Sequence, residues 1–310
     1  MQGEIVAVGA ANVDVMGRSR NPLVPEDSNP GRISVSVGGV ARNICENAAR
    51  LGLPTRMITT VGGDDYGRRI QKRCRDSGIK TDSIIVLPQE VSSSYLSIHR
   101  PNGEMSVAVS DMHLLQKLSP EMVDREKEHL QNAAAIVVDG CLPEETLAHI
   151  IRTYGDRVPV FADTVSTAYA RRFKGCLRGI HTLKPNRMEA EVLSGMTIRS
   201  EADYFHAGEA IVAKGVERVV ISAGPRGCFY TDRLGQMCWG RTHPLEHIRS
   251  ATGAGDSFMA GLLWSYYNGL CLTETLDFAM GAAVAALSAP GAINPKLSVE
   301  LVRRNMKEYR

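Results

Sequence analysis

The sequence predicts an α/β fold: a mostly parallel central sheet covered by helices on both faces, with a small separate β-sheet as a lid over one edge. Three observations predict it. Short apolar runs alternate with segments of helical spacing along most of the 310 residues, and such alternation produces parallel strands joined by crossover helices. Two stretches, around residues 33–37 and 92–109, break the alternation and read as extra strands. No internal repeat, low-complexity tract or linker divides the chain. Residues 1–310 therefore read as a single domain, with lid strands from about 12–37 and 92–109.

Taken in order, residues 4–10 form an apolar run suited to a buried parallel strand. Residues 33–37 alternate apolar side chains with Ser. Residues 39–51 place apolar side chains at helical spacing and stop at Gly52, a fitting residue just past a helix end. Residues 55–61 are β-rich and lead into Gly62-Gly63-Asp64, after which a helix runs to about Ser77 and is closed by Gly78. Residues 92–100 and 104–109 flank Pro101-Asn102-Gly103, a hairpin signature. Residues 135–139 and 158–162 are short strands with a helix over 144–153 between them. Strands over 180–183 and 218–222 complete the set, and helices near 256–267, 273–287 and 298–307 end the chain.

Composition narrows the function classes. Hydrophobic content of 44% and charged content of 23% are ordinary for a globular protein. Lys plus Arg, 36, barely exceed Asp plus Glu, 34, so global charge offers no argument for a nucleic-acid or membrane-surface partner. No stretch approaches the ~18 apolar residues of a membrane span. No signal peptide is visible at the N-terminus, and the seven cysteines are scattered without C-x-x-C spacing. Reduced thiols and a cytoplasmic address are the expectation. The histidines show no metal-ligand spacing; His243 and His247 are four apart, but Pro244 interrupts a helix there. No P-loop and no Gly-x-Gly-x-x-Gly after the first strand is present.

The most informative stretch is Thr252-Gly253-Ala254-Gly255-Asp256, directly before an apolar helical segment. Glycines let a ligand approach the backbone, and free N–H groups at a helix start attract phosphate oxygens. A carboxylate there suits a base that deprotonates an alcohol as a phosphoryl group arrives; equally, it complements the helix dipole. Asn12 and Asp14 lie just past the first strand, where an amide and a carboxylate could hold sugar hydroxyls or form an Asx turn. Gly38-Gly39 opens a helix with Asn43 one turn in; the neighbouring Arg42 reads most simply as an exposed helix residue. Lys184-Pro185-Asn186 begins another helix, with Pro185 at its first position. Asn186 and Glu189 share a face there, so Glu189 could hold Mg²⁺ through its waters or close a capping box. Ser222, Gly224 and Gly227 follow a strand and could line a nucleotide or simply turn a hairpin.

In this order and spacing, the motifs resemble the ribokinase-like carbohydrate kinase family over nearly the whole chain. The resemblance implies a ribokinase-like three-layer α/β/α fold with a small β-sheet lid, and transfer of a phosphoryl group from ATP, with Mg²⁺, to a sugar or nucleoside hydroxyl. It implies Asp256 as base and the amides of Gly253, Ala254 and Gly255 as an anion hole. Asn12, Asp14, Gly39 and Asn43 would hold the sugar, Asn186, Ser222, Gly224 and Gly227 the nucleotide, and Glu189 the metal. Within the family, Asp27-Ser28-Asn29-Pro30-Gly31, Arg42, Ser93-Ser94-Tyr95-Leu96-Ser97, His181 to Arg187 and Asn294-Pro295 resemble the pseudouridine kinase branch, which implies the 5′-hydroxyl of pseudouridine as acceptor. Three positions depart. Tyr169 stands where that branch carries Lys near the base, Cys141 where it often has Asn, and Ser250 where cation-dependent relatives have Asp, which leaves a K⁺ site open. Tyr169 and Cys141 keep a kinase for another nucleoside or sugar as an alternative. A non-catalytic nucleoside-binding regulator is a further one, and the carboxylate of Asp256 argues against it. The alternating lid strands point to a homodimer through the lid.

Overall fold

Ile5 to Val8 are fully buried on both sides of the backbone, which places the first strand inside a two-faced sheet. The computed structural model describes residues 2–242 and 248–308; His243, Pro244 and His247 lie outside the described residues. The strands are β1 Ile5–Val8, β2 Asn12–Ser19, β3 Gly31–Gly38, β4 Thr55–Gly62, β5 Ile84–Leu87, β6 Ser94–His99, β7 Met105–Asp111, β8 Ala135–Asp139, β9 Val160–Asp163, β10 Ile180–Lys184, β11 Arg218–Ser222, β12 Cys228–Asp232 and β13 Met237–Gly240. The helices are α1 Val40–Arg50, α2 Asp65–Asp76, α3 Pro120–Asp124, α4 Lys127–Gln131, α5 Glu144–Tyr154, α6 Thr167–Ala170, α7 Arg187–Ser194, α8 Glu201–Val212, α9 Ala254–Tyr267, α10 Leu272–Leu287 and α11 Val299–Glu308.

Among the described residues, nine strands form the main sheet in the order β13-β12-β11-β10-β9-β8-β1-β4-β5. Pairing is parallel from β5 through β11, then antiparallel through β12 and β13. Ile5 and Ala7 join one core with residues of α1, α9 and α10. Val6 and Val8 join the other with residues of α5, α7 and α8. This is the predicted three-layer α/β/α arrangement. Local chemistry sets the helix ends: Asp64 caps α2 by accepting from Gly67 N at 2.8 Å, and α7 stops at Gly195, left-handed with φ 81°.

The second sheet, β3-β2-β6-β7, is the lid. It holds one strand more than its sequence pattern announced. Asn12 and Asp14 do not form an Asx turn; they begin β2, which pairs with β3 over its whole length. The register puts Val13, Val15, Val35, Val37, Leu96, Val107 and Val109 on one face, and Asp14, Ser36 and Ser97 on the other. Val13, Val15, Val35 and Val37 pack on the domain. Farther out the same face is bare, with Ile33 77% and Val109 63% exposed. The strands β5, β12 and β13 and the helices α3, α4, α6 and α8 are additions to the predicted set, and Pro185 stands one residue before the cap of α7 rather than at its first position.

Candidate active site

The candidate site lies beyond the carboxyl ends of β1 and β8 to β11, where open α/β sheets bind ligands. Its centre is the turn before α9. Gly253 caps that helix with φ 81°, and a Cβ there would lie 1.9 Å from Ala292 O. Only glycine fits, both for its backbone and for the close approach of the 291–293 loop. A Cβ on Gly255 would meet Lys184 Nζ at 3.3 Å. The first helix-type bond runs from Ser257 N to Gly253 O, at 2.9 Å. The N–H groups of Gly255 and Asp256 therefore precede any acceptor in the helix and suit an anion.

Asp256 sits in this first turn, partly buried. Its Oδ2 accepts from Asn43 Nδ2 at 2.8 Å. Burial pushes the Asp256 carboxyl up to about 7; Asp163 adds to the shift, while Asn43, Lys184 and Arg42 oppose it. The Asn43 amide is itself oriented, since its Oδ1 accepts from Arg42 Nη2 at 2.6 Å. Arg42 is not the exposed helix residue that its position suggested. It is fully buried and donates to Gly38 O at 3.2 Å, to Val37 O and to Glu46. Glu46 also receives Arg50 and Arg73. Arg42 thus ties Asn43 to the root of the lid.

Lys184 and Asp163 complete this cluster. They are register partners at the ends of β10 and β9. Both are buried, with Nζ 3.0 Å from Oδ2. Burial works against the Lys184 ammonium, but the charge and hydrogen bond of Asp163 outweigh it and raise its pKa. A second buried acid, Asp139, accepts from Ala10 N and Ala41 N, each at 2.9 Å, and from Cys141 N at 3.0 Å. Burial lifts it to about 6 against those three donors. It pins the end of β1 to the start of α1, and so fixes the helix that carries Asn43.

On the lid side, Asn12 donates to Asp14 at 2.6 Å. Burial raises the Asp14 carboxyl, opposed by Asn12 and Arg42. A Cβ on Gly38 would lie 2.2 Å from Asp14 Oδ2, and one on Gly39 (φ 98°) would lie 2.3 Å from Ala10 O. The two glycines therefore let β3 and α1 close around the Asn12–Asp14 pair.

A second group flanks the centre. Asn186 pairs with Ser222 in a parallel bridge, and Ser222 N donates to Pro185 O at 2.9 Å. Gly224 (φ 59°) and Gly227 (φ 94°) shape the turn from β11 into β12, which is also a hairpin; a Cβ on Gly227 would lie 1.9 Å from Gly240 O. Asn186 and Glu189 form the capping box of α7. The buried Glu189 carboxylate accepts from Asn186 N at 2.8 Å, Asn186 Nδ2 at 2.6 Å and Thr164 Oγ1 at 2.6 Å. Among the described residues no group of three or more His, Cys, Asp or Glu side chains could hold a metal ion.

The three departing positions are also placed. Tyr169 lies in α6 beside Gly140, with the Arg172 guanidinium 4.7 Å from its ring centre. Arg172 donates to Gly140 O at 3.3 Å, Cys141 O at 3.0 Å and Leu142 O. Ser250 Oγ accepts from Thr252 N at 3.2 Å.

The structure thus joins Asn43 directly to Asp256 and sets Asn12, Asp14 and Gly39 at the lid root. It gathers Asn186, Glu189, Ser222, Gly224 and Gly227 at the neighbouring strand ends. Reading by motif missed Lys184, Asp163 and Asp139 as site residues. Lys184 stood inside a recognised motif, but its partner is known only once β9 and β10 are known to be neighbours.

Comparison with known proteins gives the family and the fold. A family model described as pfkB family carbohydrate kinase matches residues 2–299. A pseudouridine kinase of Escherichia coli K12 is 38% identical over 296 residues, covering 95% of this chain and 94% of that protein. Among solved structures, a carbohydrate kinase from Agrobacterium tumefaciens superposes with a TM-score of 0.87 at 25% identity, over 99% of this chain and 98% of that one. An Arabidopsis thaliana ribokinase complexed with ribose and ATP shares the fold, with a TM-score of 0.90 at 24% identity over 99% of each chain. The chain belongs to the pfkB family of carbohydrate kinases.

Proposed function

We propose that this kinase transfers the γ-phosphoryl group of ATP to the 5′-hydroxyl of pseudouridine, with Asp256 as the general base. One observation carries the reading: a carboxyl raised to about 7, hydrogen-bonded to Asn43, stands in the first turn of a glycine-led helix beside the Lys184 ammonium. The acceptor hydroxyl gives its proton to Asp256 as its oxygen bonds to the γ-phosphorus, and the bond from that phosphorus to the bridging oxygen breaks to release ADP. A base with a pKa near 7 is about half ionised at neutral pH and, once ionised, is a better proton acceptor than an ordinary Asp. The N–H groups of Gly253, Ala254 and Gly255 and the Lys184 ammonium receive the charge that develops on the phosphoryl oxygens.

Asn12, Asp14, Gly39 and Asn43 bind the ribose, and the small lid sheet closes over it to exclude water, the competing acceptor. Asn186, Ser222, Gly224 and Gly227 bind the nucleotide. When bound, Mg²⁺ neutralises phosphate charge. Glu189 and Asn186 would hold its water shell: among the described residues, the buried Glu189 carboxylate accepts only from the neutral donors of Asn186 and Thr164 and has no cation bonded to it. The unpaired cysteines support a cytoplasmic address. The bare apolar outer part of the lid supports a homodimer formed there.

The choice of pseudouridine rests on the branch-specific residues and on the E. coli pseudouridine kinase as a relative. Tyr169 favours a second reading, a different nucleoside stacked on that ring. ADP release across pseudouridine, uridine, guanosine, inosine, ribose and fructose decides between them. Pseudouridine is expected to be the best acceptor. Turnover of another nucleoside with none of pseudouridine would favour the second reading.

A further inference from the structure

A cavity of about 350 Å³ lies at the far end of the main sheet, where β9 to β11 begin and β12 ends. It is separate from the turn at 252–256: it touches Leu262 and Tyr266 in the last turns of α9, and Tyr266 is ten residues, about 15 Å of helix, beyond Asp256. Its size falls in the range of small-molecule sites. Phe161, Val220, Tyr230, Leu262, Tyr266 and Leu270 form an apolar and aromatic part of its wall.

Three of its polar groups are unspent. Arg218 and Gln236 line it and are largely exposed. Among the described residues, neither the Arg218 guanidinium, nor the Gln236 side-chain amide, nor the Tyr266 hydroxyl has a hydrogen-bond or ion-pair partner. Arg218 stands directly across the ladder from Asp232, yet the two form no ion pair. The Asp232 carboxylate is engaged elsewhere, accepting from Tyr230 Oη at 2.9 Å, Leu234 N at 2.9 Å and Gln236 N at 3.0 Å. The register of β10 against β9 slips between Ile180 and Thr182. At this slip His181 lies on the same side of the sheet, its ring tilted against Phe161 and edge-on to Tyr266, at 5.3 and 5.0 Å between ring centres. Irregularities of this kind re-aim side chains at sites. An apolar, aromatic cleft with one uncommitted guanidinium at its mouth has the chemistry of a receptor for a carboxylate on an apolar body, because guanidinium and carboxylate match as a two-bond fork.

We propose that this cavity is a second ligand site, which takes a small aromatic monocarboxylate with its carboxylate on Arg218 and its ring among Phe161, Tyr230 and Tyr266. Benzoate is the test probe, in calorimetric titrations of the full chain, with benzamide and benzylamine as uncharged and cationic controls of the same shape. Saturable benzoate binding is expected, weakened about tenfold or more in Arg218→Gln and for either control. The exposed side chain at 218 makes Arg218→Gln a folded protein, and Gln236→Ala provides a second variant with a smaller loss. Asp256→Asn is expected to leave benzoate affinity unchanged, which separates this cavity from the turn before α9. Absence of saturation at millimolar benzoate overturns the assignment. So does equal affinity for benzoate and benzamide, or an affinity unaltered by Arg218→Gln.

Discussion

At the scale of single residues, the account turns on Asp256. Its carboxyl is raised to about 7, first by burial and then by Asp163. A base works ionised, so activity is present above that value and is lost as pH falls through it. We expect kcat/KM, which reports the free enzyme, to drop about tenfold per unit below pH 7 and to level off above it. The hydrogen bond from Asn43 lowers the same pKa. Asn43→Ala is therefore expected to move the acid limb to higher pH as well as to weaken sugar binding, and an unmoved limb would detach Asn43 from the base. Asp256 as a candidate base was legible in the sequence because its glycines and the following helix are contiguous. Lys184 and Asp163 were not, because their pairing is a matter of strand order. Arg42 was misread for a related reason: an arginine on a helix is most often exposed, and only the Glu46 carboxylate and the carbonyls of Val37 and Gly38, which accept from it, make burial tolerable.

At the scale of elements, the start of α9 is the most constrained piece of the site. Gly253→Ala combines a left-handed backbone with a Cβ set 1.9 Å from Ala292 O. The strain of such a position is about 1–3 kcal/mol before any clash is counted. Loss of most activity with a lowered Tm is expected, whereas Gly52→Ala, with no atom within 4 Å of its Cβ, is expected to lower Tm and spare activity. Most strands and helices were legible from periodicity and from glycine stops such as Gly52 and Gly78. The missing ones have physical reasons. β12 is buried at every position and shows no alternation, β5 and β13 are four residues each, and β2 carries Asp14, Gly17 and Arg18 in a strand half open to solvent. Helix α8 did carry its own signal, the Ser200–Asp203 capping box, three residues apart as the rule requires.

At the scale of the whole molecule, the two sheets divide the work. The main sheet with α9 positions Lys184, Asp256 and the turn over 222–227 proposed for the nucleotide, and the lid carries Asn12 and Asp14 at its root while leaving an apolar outer face. If two lids pair through that face, Val109→Lys together with Ile33→Lys yields a monomer in sedimentation; an unchanged particle mass would place any interface elsewhere. The overall fold was legible because strand and helix alternate along one undivided chain, but the proposed acceptor rests on isolated side chains, Tyr169 among them, that no periodicity reports. The central claim is a transfer to the 5′-oxygen of pseudouridine by Asp256, and ³¹P NMR of the product formed from pseudouridine and ATP tests it most directly. The account predicts a 5′-phosphomonoester with the unaltered chain, and a rate at least about 10²-fold lower with Asp256→Asn. No phosphorylated pseudouridine, or near-equal rates for the two proteins, would contradict it.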